Sequence, residues 1–265
     1  EDIKPKIRPF QQPLWLGQHD LRDKTLLLHA EQGLGDTLQF CRLVSLVKPL
    51  GAKVLLEVQK PLTKLMQQLP GVDALYARGD QLPPFDFQCP LLSLPLALGV
   101  QVDAIPFASG YMKAPGESLA HWGAQLGAPT RPRVGLVWSG STGHRNDRNR
   151  SLQFEQMARA LPDGIDYFCL QKEIRDIDRD ALTKDRRVRL FDTLIQDFTD
   201  TAALCSLMDL VVSVDTSVAH LAGALGQPVC VLLPWAPDWR WMLHRNDTPW
   251  YQRMELLRQP MLGDW

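Results

Sequence analysis

The sequence predicts an α/β fold in which two Rossmann-like domains face a cleft. Three observations carry this prediction. Short, wholly apolar runs rich in β-branched residues alternate with helix-like stretches along most of the chain, the pattern of parallel strands covered on both faces. The alternation is interrupted at Gly127-Ala128-Pro129-Thr130-Arg131-Pro132-Arg133, where two prolines without periodicity mark a linker. Finally, Val211 to Gly226 runs from a β-branched strand through Asp215-Thr216 into a helix of small residues, and a new apolar run, Pro228 to Leu233, follows at once. That is a βαβ unit.

The elements follow in order. Residues 1–24 hold three prolines, a tryptophan and mixed charge, and read as a leading segment. Thr25–Ala30 is a buried strand, Asp36 to about Leu50 a helix, Lys53–Val58 a strand, Pro61–Leu69 a helix and Asp73–Ala77 a third strand. Phe85–Leu98, punctuated by prolines, is expected to hold a short strand and a short helix, and Glu117–Leu126 an amphipathic helix. After the linker come strand Val134–Trp138, a polar loop over 139–150, helix 152–161 and strand Tyr167–Leu170. Helix 174–184, strand Val188–Phe191, helix 200–208 and strand Leu210–Val214 lead into the βαβ unit. The domains are therefore expected at 25–126 and 134–265, with 127–133 between them.

The bulk numbers narrow the function. The chain has 265 residues, 45% hydrophobic and 22% charged, with a formal net charge of −1. No general polyanion-binding surface is implied, so any phosphate site must be local, and no nucleic-acid partner is expected. No apolar run has the length of a membrane span and no signal peptide is visible. The five cysteines are scattered, mostly in apolar runs and without C-x-x-C pairing. They read as reduced core residues of a cytoplasmic protein. The chain begins at Glu1 rather than at a methionine, and is expected to be a fragment or processed product with further N-terminal sequence.

The unusual residues gather at predicted strand ends, where open α/β sheets bind ligands. After the first strand comes Glu31-Gln32-Gly33-Leu34-Gly35-Asp36-Thr37. Gly33 and Gly35 are expected to turn the backbone sharply and leave room for a ligand. The stretch approaches a dinucleotide fingerprint, with Glu57 further along, but Leu38 takes the third glycine position and Asp36 would compete with a pyrophosphate for the same amides. An ionised Asp36 at a helix start suits a general base, and also a helix N-cap. After Trp138 comes Ser139-Gly140-Ser141-Thr142-Gly143-His144-Arg145-Asn146-Asp147-Arg148-Asn149-Arg150. It is either a phosphate-gripping arginine loop or a solvated one. Asp215, Thr216 and Ser217 open a helix whose positive end suits phosphate, though Asp215 or Thr216 could simply cap it and His220 could be a satisfied buried histidine. Trp235, Trp239 and Trp241 form either a wall that stacks on a base or sugar or a cover for a core. The D-x-D of Asp176-Ile177-Asp178 reads as a salt-bridged helix face. The histidines and cysteines show no metal-ligand spacing.

Together, Gly33-Leu34-Gly35-Asp36-Thr37 and Ser213-Val214-Asp215-Thr216-Ser217-Val218-Ala219-His220-Leu221 resemble the heptosyltransferase-like glycosyltransferases, glycosyltransferase family 9, with the GT-B fold. HAEQGLGDTLQFCR, HRNDRNRS and LLPWAPDWRW resemble, more closely, the C-terminal catalytic region of bacterial tetratricopeptide-repeat proteins, from about Leu14 to Trp265. The resemblance implies inverting, metal-independent transfer from a nucleotide-activated sugar to an acceptor hydroxyl, with no cofactor beyond that co-substrate. It implies an acceptor-side first domain with Asp36 as base, and a second domain whose Asp215, Thr216, Ser217 and His220 hold the donor diphosphate. Arg150 falls where the family places a cationic residue near the phosphates, and Arg148 lies beside it. Gln32, Gly33, Gly35, Trp138, Ser139 and Trp235 are expected to line the cleft. A protein or glycan acceptor and N-terminal helical repeats are the partners implied. The competing classes are a nucleotide-sugar-binding module without catalysis and a dinucleotide-dependent oxidoreductase.

Overall fold

The computed structural model describes residues 8–265. They divide into two compact units, the first ending at Phe107 and the second running from Ala108 to Trp265. The first seven residues of the leading segment lie outside the described residues.

The first unit is built on a parallel sheet of β1 (Thr25–His29), β2 (Lys53–Val58), β3 (Ala74–Ala77) and β4 (Phe87–Pro90), in the order β3-β2-β1-β4. The central strand β1 sets Leu27 opposite Leu55 on one side and Gln88 on the other. Leu26, Leu27 and Leu28 are fully buried, as a strand covered on both faces requires. The first helix, α1 (Leu34–Phe40), is shorter than expected; α2 (Thr63–Met66) and α3 (Leu94–Ala97) are single turns. Beyond Phe40 the chain tightens into 3₁₀ turns at Cys41–Leu46 and Lys48–Leu50. Pro49 sits in the first turn of the last of these, where its missing N–H costs nothing, and the left-handed Gly51 ends the stretch. Residues 13–15 run beside β4: Trp15 N–H donates to the Gln88 carbonyl at 2.9 Å, and the Trp15 ring is buried. The leading segment thus contributes to the first unit's core.

The second unit holds a six-stranded parallel sheet. Its members are β5 (Arg133–Val137), β6 (Asp166–Cys169), β7 (Val188–Arg189), β8 (Leu210–Val214), β9 (Val229–Leu233) and β10 (Met254–Arg258), in the order β10-β9-β8-β5-β6-β7. Counted from its own first strand, this is the doubly wound order 3-2-1-4-5-6 read across the sheet. The connecting helices are α5 (Asp147–Arg150), α6 (Phe154–Ala158), α7 (Asp176–Lys184), α8 (Phe198–Ser206) and α9 (Ser217–Ala224).

Helix α4 (Gly116–Leu126) also belongs to this unit. Trp122 is buried, donates its indole N–H to Asp200 Oδ1 at 2.9 Å, and meets Phe191 edge-on at 5.2 Å. The stretch 127–133, expected as an interdomain linker, therefore lies inside the second unit and joins α4 to β5. The division falls instead at 107/108.

All five cysteines are free; four are buried and Cys230 is half-buried. Burial pushes the Cys41, Cys89, Cys169 and Cys205 thiols up to about 12 and Cys230 up to about 11. Among the described residues no helix is long and apolar enough to cross a membrane.

Trp122 supplies a test of how α4 is anchored. Trp122→Ala removes a buried ring and orphans an acceptor on Asp200, so it should destabilise the second unit by about 3–5 kcal/mol in urea unfolding. A loss within experimental error would detach α4 from that unit's core.

Candidate functional site

In the second unit the chain leaves β5 for β6 and β7 on one side, then crosses back to β8 on the other. The crevice at the carboxyl ends of β5 and β8 is the switch point at which such sheets bind ligands. Two segments meet there: residues 138–151 after β5, and Asp215-Thr216 between β8 and α9.

Thr216 is the N-cap residue of α9, with extended backbone at φ −138° and ψ 172°. Its hydroxyl makes no capping bond and lies 3.1 Å from Ser213 Oγ instead. The first-turn amides of α9 therefore have no side-chain cap, and the positive end of the helix is left for another acceptor. Arg150 reaches this turn from the opposite segment, its Nη1 donating to the Asp215 main-chain carbonyl at 2.6 Å. Its guanidinium lies against Gly140, where a Cβ would stand 2.6 Å from Nη2, so any side chain there would push the guanidinium aside. The side chain is 12% exposed, and Nε is buried without a hydrogen-bond partner.

A second layer fixes the loop. Arg175 Nη2 donates to the Gly140 carbonyl at 2.9 Å, to Asp147 Oδ2 at 2.6 Å and to Ser151 Oγ at 3.2 Å. Ser151 Oγ donates to Asp147 Oδ1 at 2.7 Å and accepts the Gly140 N–H at 3.0 Å. Gln171 Oε1 accepts the amides of Trp138 and Ser139 at 2.6 and 3.0 Å. Asp147, Gln171 and Arg175 were not singled out in the sequence. Gln171 stands two residues beyond β6 and carried a positional signal, whereas Arg175 sits in a charged run without one.

The Asp215 carboxylate is buried, and that desolvation raises its pKa above the usual carboxylate range. The Trp241 indole and the Arg240 and Arg150 guanidiniums offset part of the rise, while Asp238 adds to it. His220 Nε2 lies 3.9 Å from Asp215 Oδ1. The imidazole is buried, stacks on Trp241 at 5.2 Å and 17°, and has Nδ1 3.0 Å from the Tyr251 hydroxyl.

Several expectations for this region change. Trp138 does not line an open surface: it is fully buried against Phe154 at 5.1 Å, and its indole donates to Asp178 Oδ2 at 2.9 Å. Ser139 is buried beneath Gln171. Asp178 is correspondingly not on a solvated helix face; its other oxygen accepts Phe154 N–H at 2.7 Å, although Asp176 and Arg179 do pair at 3.9 Å. The three tryptophans divide, with Trp241 in the core and Trp235 and Trp239 exposed. Arg148 is exposed, and Ser217 half-buried at the helix start. Residues 147–150 of the expected loop form the helical turn that aims Arg150.

In the first unit, Asp36 occupies the third position of α1 and is half-buried. Its Oδ2 accepts the Gly33 N–H at 2.8 Å, so the carboxylate holds the helix start. Gly33 has φ −75°, which any residue adopts; it is not a sharp left-handed turn. Its lack of a side chain matters only for room, since a Cβ would stand 3.1 Å from Asp36 Oδ2. Gln59 clamps the loop: Nε2 donates to the Gln32 carbonyl at 2.9 Å, and Oε1 accepts from Thr37 Oγ1 at 2.9 Å. Gln32 is exposed and Gly35 half-buried. Glu31 joins this edge unannounced by the sequence. Burial raises its pKa, Oε1 accepts Leu92 N–H at 3.1 Å, and Oε2 is buried without a hydrogen-bond partner. Glu57, the acidic residue a dinucleotide reading would place on a ribose, is buried and paired with Arg8. No group of three or more His, Cys, Asp or Glu side chains able to hold a metal ion is found among the described residues.

Residues 195–240, which include the β8–α9 turn, match the family model of Glycosyltransferase family 9 (heptosyltransferase). Protein FlbA of Caulobacter vibrioides is 27% identical over 95% of this chain, and the chain spans 46% of that protein's length. The fold is shared with the glycosyl transferase family 9 structure from Veillonella parvula, at TM-score 0.65 and 12% identity, covering 91% of this chain and 87% of that one. It is shared also with the dodecameric iron-containing heptosyltransferase TibC of E. coli in complex with ADP-D-beta-D-heptose, at TM-score 0.59 and 13% identity, covering 85% of this chain and 62% of that one. The α/β, parallel-sheet architecture is thus that of the GT-B heptosyltransferases.

The buried Asp215 has a consequence for stability. With its pKa raised, the folded protein binds that proton more tightly than the unfolded chain, so Asp215 subtracts stability as pH rises from the usual carboxylate range through its folded pKa. Asp215→Asn should therefore keep or raise the melting temperature at pH 7, and flatten its decline between pH 4 and pH 7. A melting temperature well below wild type at pH 7 would mean that the carboxylate is net stabilising.

Proposed function

We propose that this chain is an inverting glycosyltransferase that needs no metal ion and moves a sugar from a nucleotide-activated donor to an acceptor hydroxyl. The observation that carries the reading is the uncapped start of α9 at a sheet switch point, with Arg150 seated on the same turn. Such a turn offers backbone N–H groups, a helix dipole and a fixed cation to one anion. The family 9 match over this segment and the ADP-heptose complex of a structural neighbour support a nucleotide sugar as that anion.

The chemistry assigns a role to each group. Asp36 takes the proton from the acceptor hydroxyl, whose oxygen attacks the anomeric carbon. The bond from that carbon to the donor phosphate breaks on the opposite side, and its electron pair leaves with the nucleotide. Charge growing on the leaving phosphate is met by the amides of Ser217 and the residues after it, and by Arg150, in place of a metal ion. Arg148 adds a longer-range cation from an exposed position. Asp215 holds the turn at the donor diphosphate, with His220 behind it. Ser139 and Trp138 keep the opposite segment in place from inside the core, and the exposed Trp235 offers a face for a base or sugar. The first unit is the acceptor side, and Gln32, Gly33 and Gly35 frame Asp36. The acceptor is a protein or a glycan, helical repeats precede the chain in the full-length protein, and the reaction runs in the cytoplasm.

The decisive variant is Asp36→Asn, which keeps the acceptor oxygen for Gly33 N–H and removes the base. Transfer to a confirmed acceptor should fall at least ~100-fold, the low end for general-base catalysis, with donor affinity near wild type. EDTA should leave wild-type transfer unchanged. Wild-type turnover in the variant would remove Asp36 from the mechanism. Activity lost with EDTA and restored by a divalent ion or iron would overturn the metal-free assignment.

A further inference from the structure

Tyr251 lies far along the chain from the β8–α9 turn, in the segment leading into β10, yet it is buried against α9. Its ring occupies the space above Gly223: a Cβ on that residue would stand 2.5 Å from Tyr251 Cδ1. No side chain other than glycine's hydrogen fits there without moving the ring. The close approach sets the phenol hydroxyl 3.0 Å from His220 Nδ1, one turn back along the helix. On the other side of the imidazole, Nε2 lies 3.9 Å from Asp215 Oδ1. Trp241, stacked on the ring at 5.2 Å, keeps the imidazole in plane between the two.

A neutral imidazole carries its proton on one nitrogen, and the hydrogen bond at the other decides which. A phenol can donate or accept, whereas a carboxylate can only accept. With Asp215 ionised and the imidazole neutral, the favourable arrangement has Tyr251 donating to Nδ1 and the proton on Nε2, on the side of Asp215. The opposite tautomer would aim a lone pair at Asp215 Oδ1. Arg150, Arg240 and Asp238 also act on Asp215. Arg150 donates to the main-chain carbonyl of Asp215, and His220 Nε2 lies on the side of its carboxylate Oδ1.

We infer that Tyr251 is a positioning residue for the donor turn: its hydroxyl, held by the Gly223 gap, fixes His220 as the Nε2–H tautomer and so orients Asp215 beside the start of α9. The contribution to donor binding rests on the reading given above; the tautomer does not. The relay places a determinant of the turn in a buried residue 31 positions beyond His220.

The test is a nitrogen-15 NMR measurement of the His220 ring in the whole chain, with titration of ADP and the other common nucleoside diphosphates as probes. Wild type should show the Nε2–H pattern. Tyr251→Phe removes only the hydroxyl, and should mix the tautomers while weakening the best-binding nucleotide at least about threefold, with a melting temperature close to wild type. Gly223→Ala, which presses on the same ring from the helix side, should mix the tautomers in the same way and keeps the contact testable if Tyr251→Phe folds poorly. An Nδ1–H tautomer in wild type would overturn the inference, as would variants with an unchanged tautomer. A shifted tautomer with unchanged nucleotide affinity would overturn the coupling to the donor turn. A wild-type protein that binds none of the probes counts against the donor reading, and leaves the tautomer to decide the relay on its own.

Discussion

The bond from Arg150 to the main-chain carbonyl of Asp215 ties together the two segments that meet at the switch point of the larger sheet. Each neighbouring feature serves it. Gly140 gives the guanidinium room, and Arg175, Asp147 and Ser151 hold the Gly140 backbone from below. Gln171 pins the two amides where β5 ends. A guanidinium this buried is stable only with its polar partners in place, since an unpaired buried charge costs several kcal/mol. The base of the loop after β5 is therefore hydrogen-bonded in place, while its tip, 141–145, is exposed.

The same turn gives up stability in two places. Thr216 is a residue type that caps helices well, and a missing cap costs about 1 kcal/mol, yet its hydroxyl turns toward Ser213. Asp215 keeps a carboxylate where burial disfavours its charge. Local sacrifices of this kind are expected where the chain must leave donors and charge ready for a ligand. The first unit shows a milder form of this: Asp36 is used in holding its helix start, while Glu31 nearby keeps one buried oxygen without a hydrogen-bond partner.

The strands could be read from the sequence because their signal is strong and local. Apolar β-branched runs between helices have few other solutions, and β8 and β9 fall where that pattern put them. The α1 boundary could not be read so well, because the apolar spacing through Leu50 suits an α-helix and a 3₁₀ chain alike, and the change at Cys41 leaves no proline or glycine to mark it. The expected linker at 127–133 was misleading for a related reason: prolines mark irregular backbone, but only the packing of Trp122 on Asp200 and Phe191 reveals which unit α4 joins. At the site, Asp215 and Thr216 stood out because they follow β8 directly, and Asp36 and Arg150 because they belong to the connections that leave β1 and β5. Trp138 was misplaced because its own position, also directly after a strand, does not disclose that Asp178 waits inside to accept its indole. Arg175 and Tyr251 act through contacts distant in sequence, 28 residues from Asp147 and 31 from His220, and no spacing rule reaches that far.

The central claim is that the start of α9 receives the phosphate of a nucleotide donor, and backbone amide shifts report on it directly. On titration with nucleoside phosphates, the amides of Ser217, Val218 and Ala219 should move most, together with the Arg150 side-chain signals. The parent nucleoside should leave them nearly still. A nucleotide that saturates the protein while those amides stay in place would contradict the assignment and put the phosphate site elsewhere.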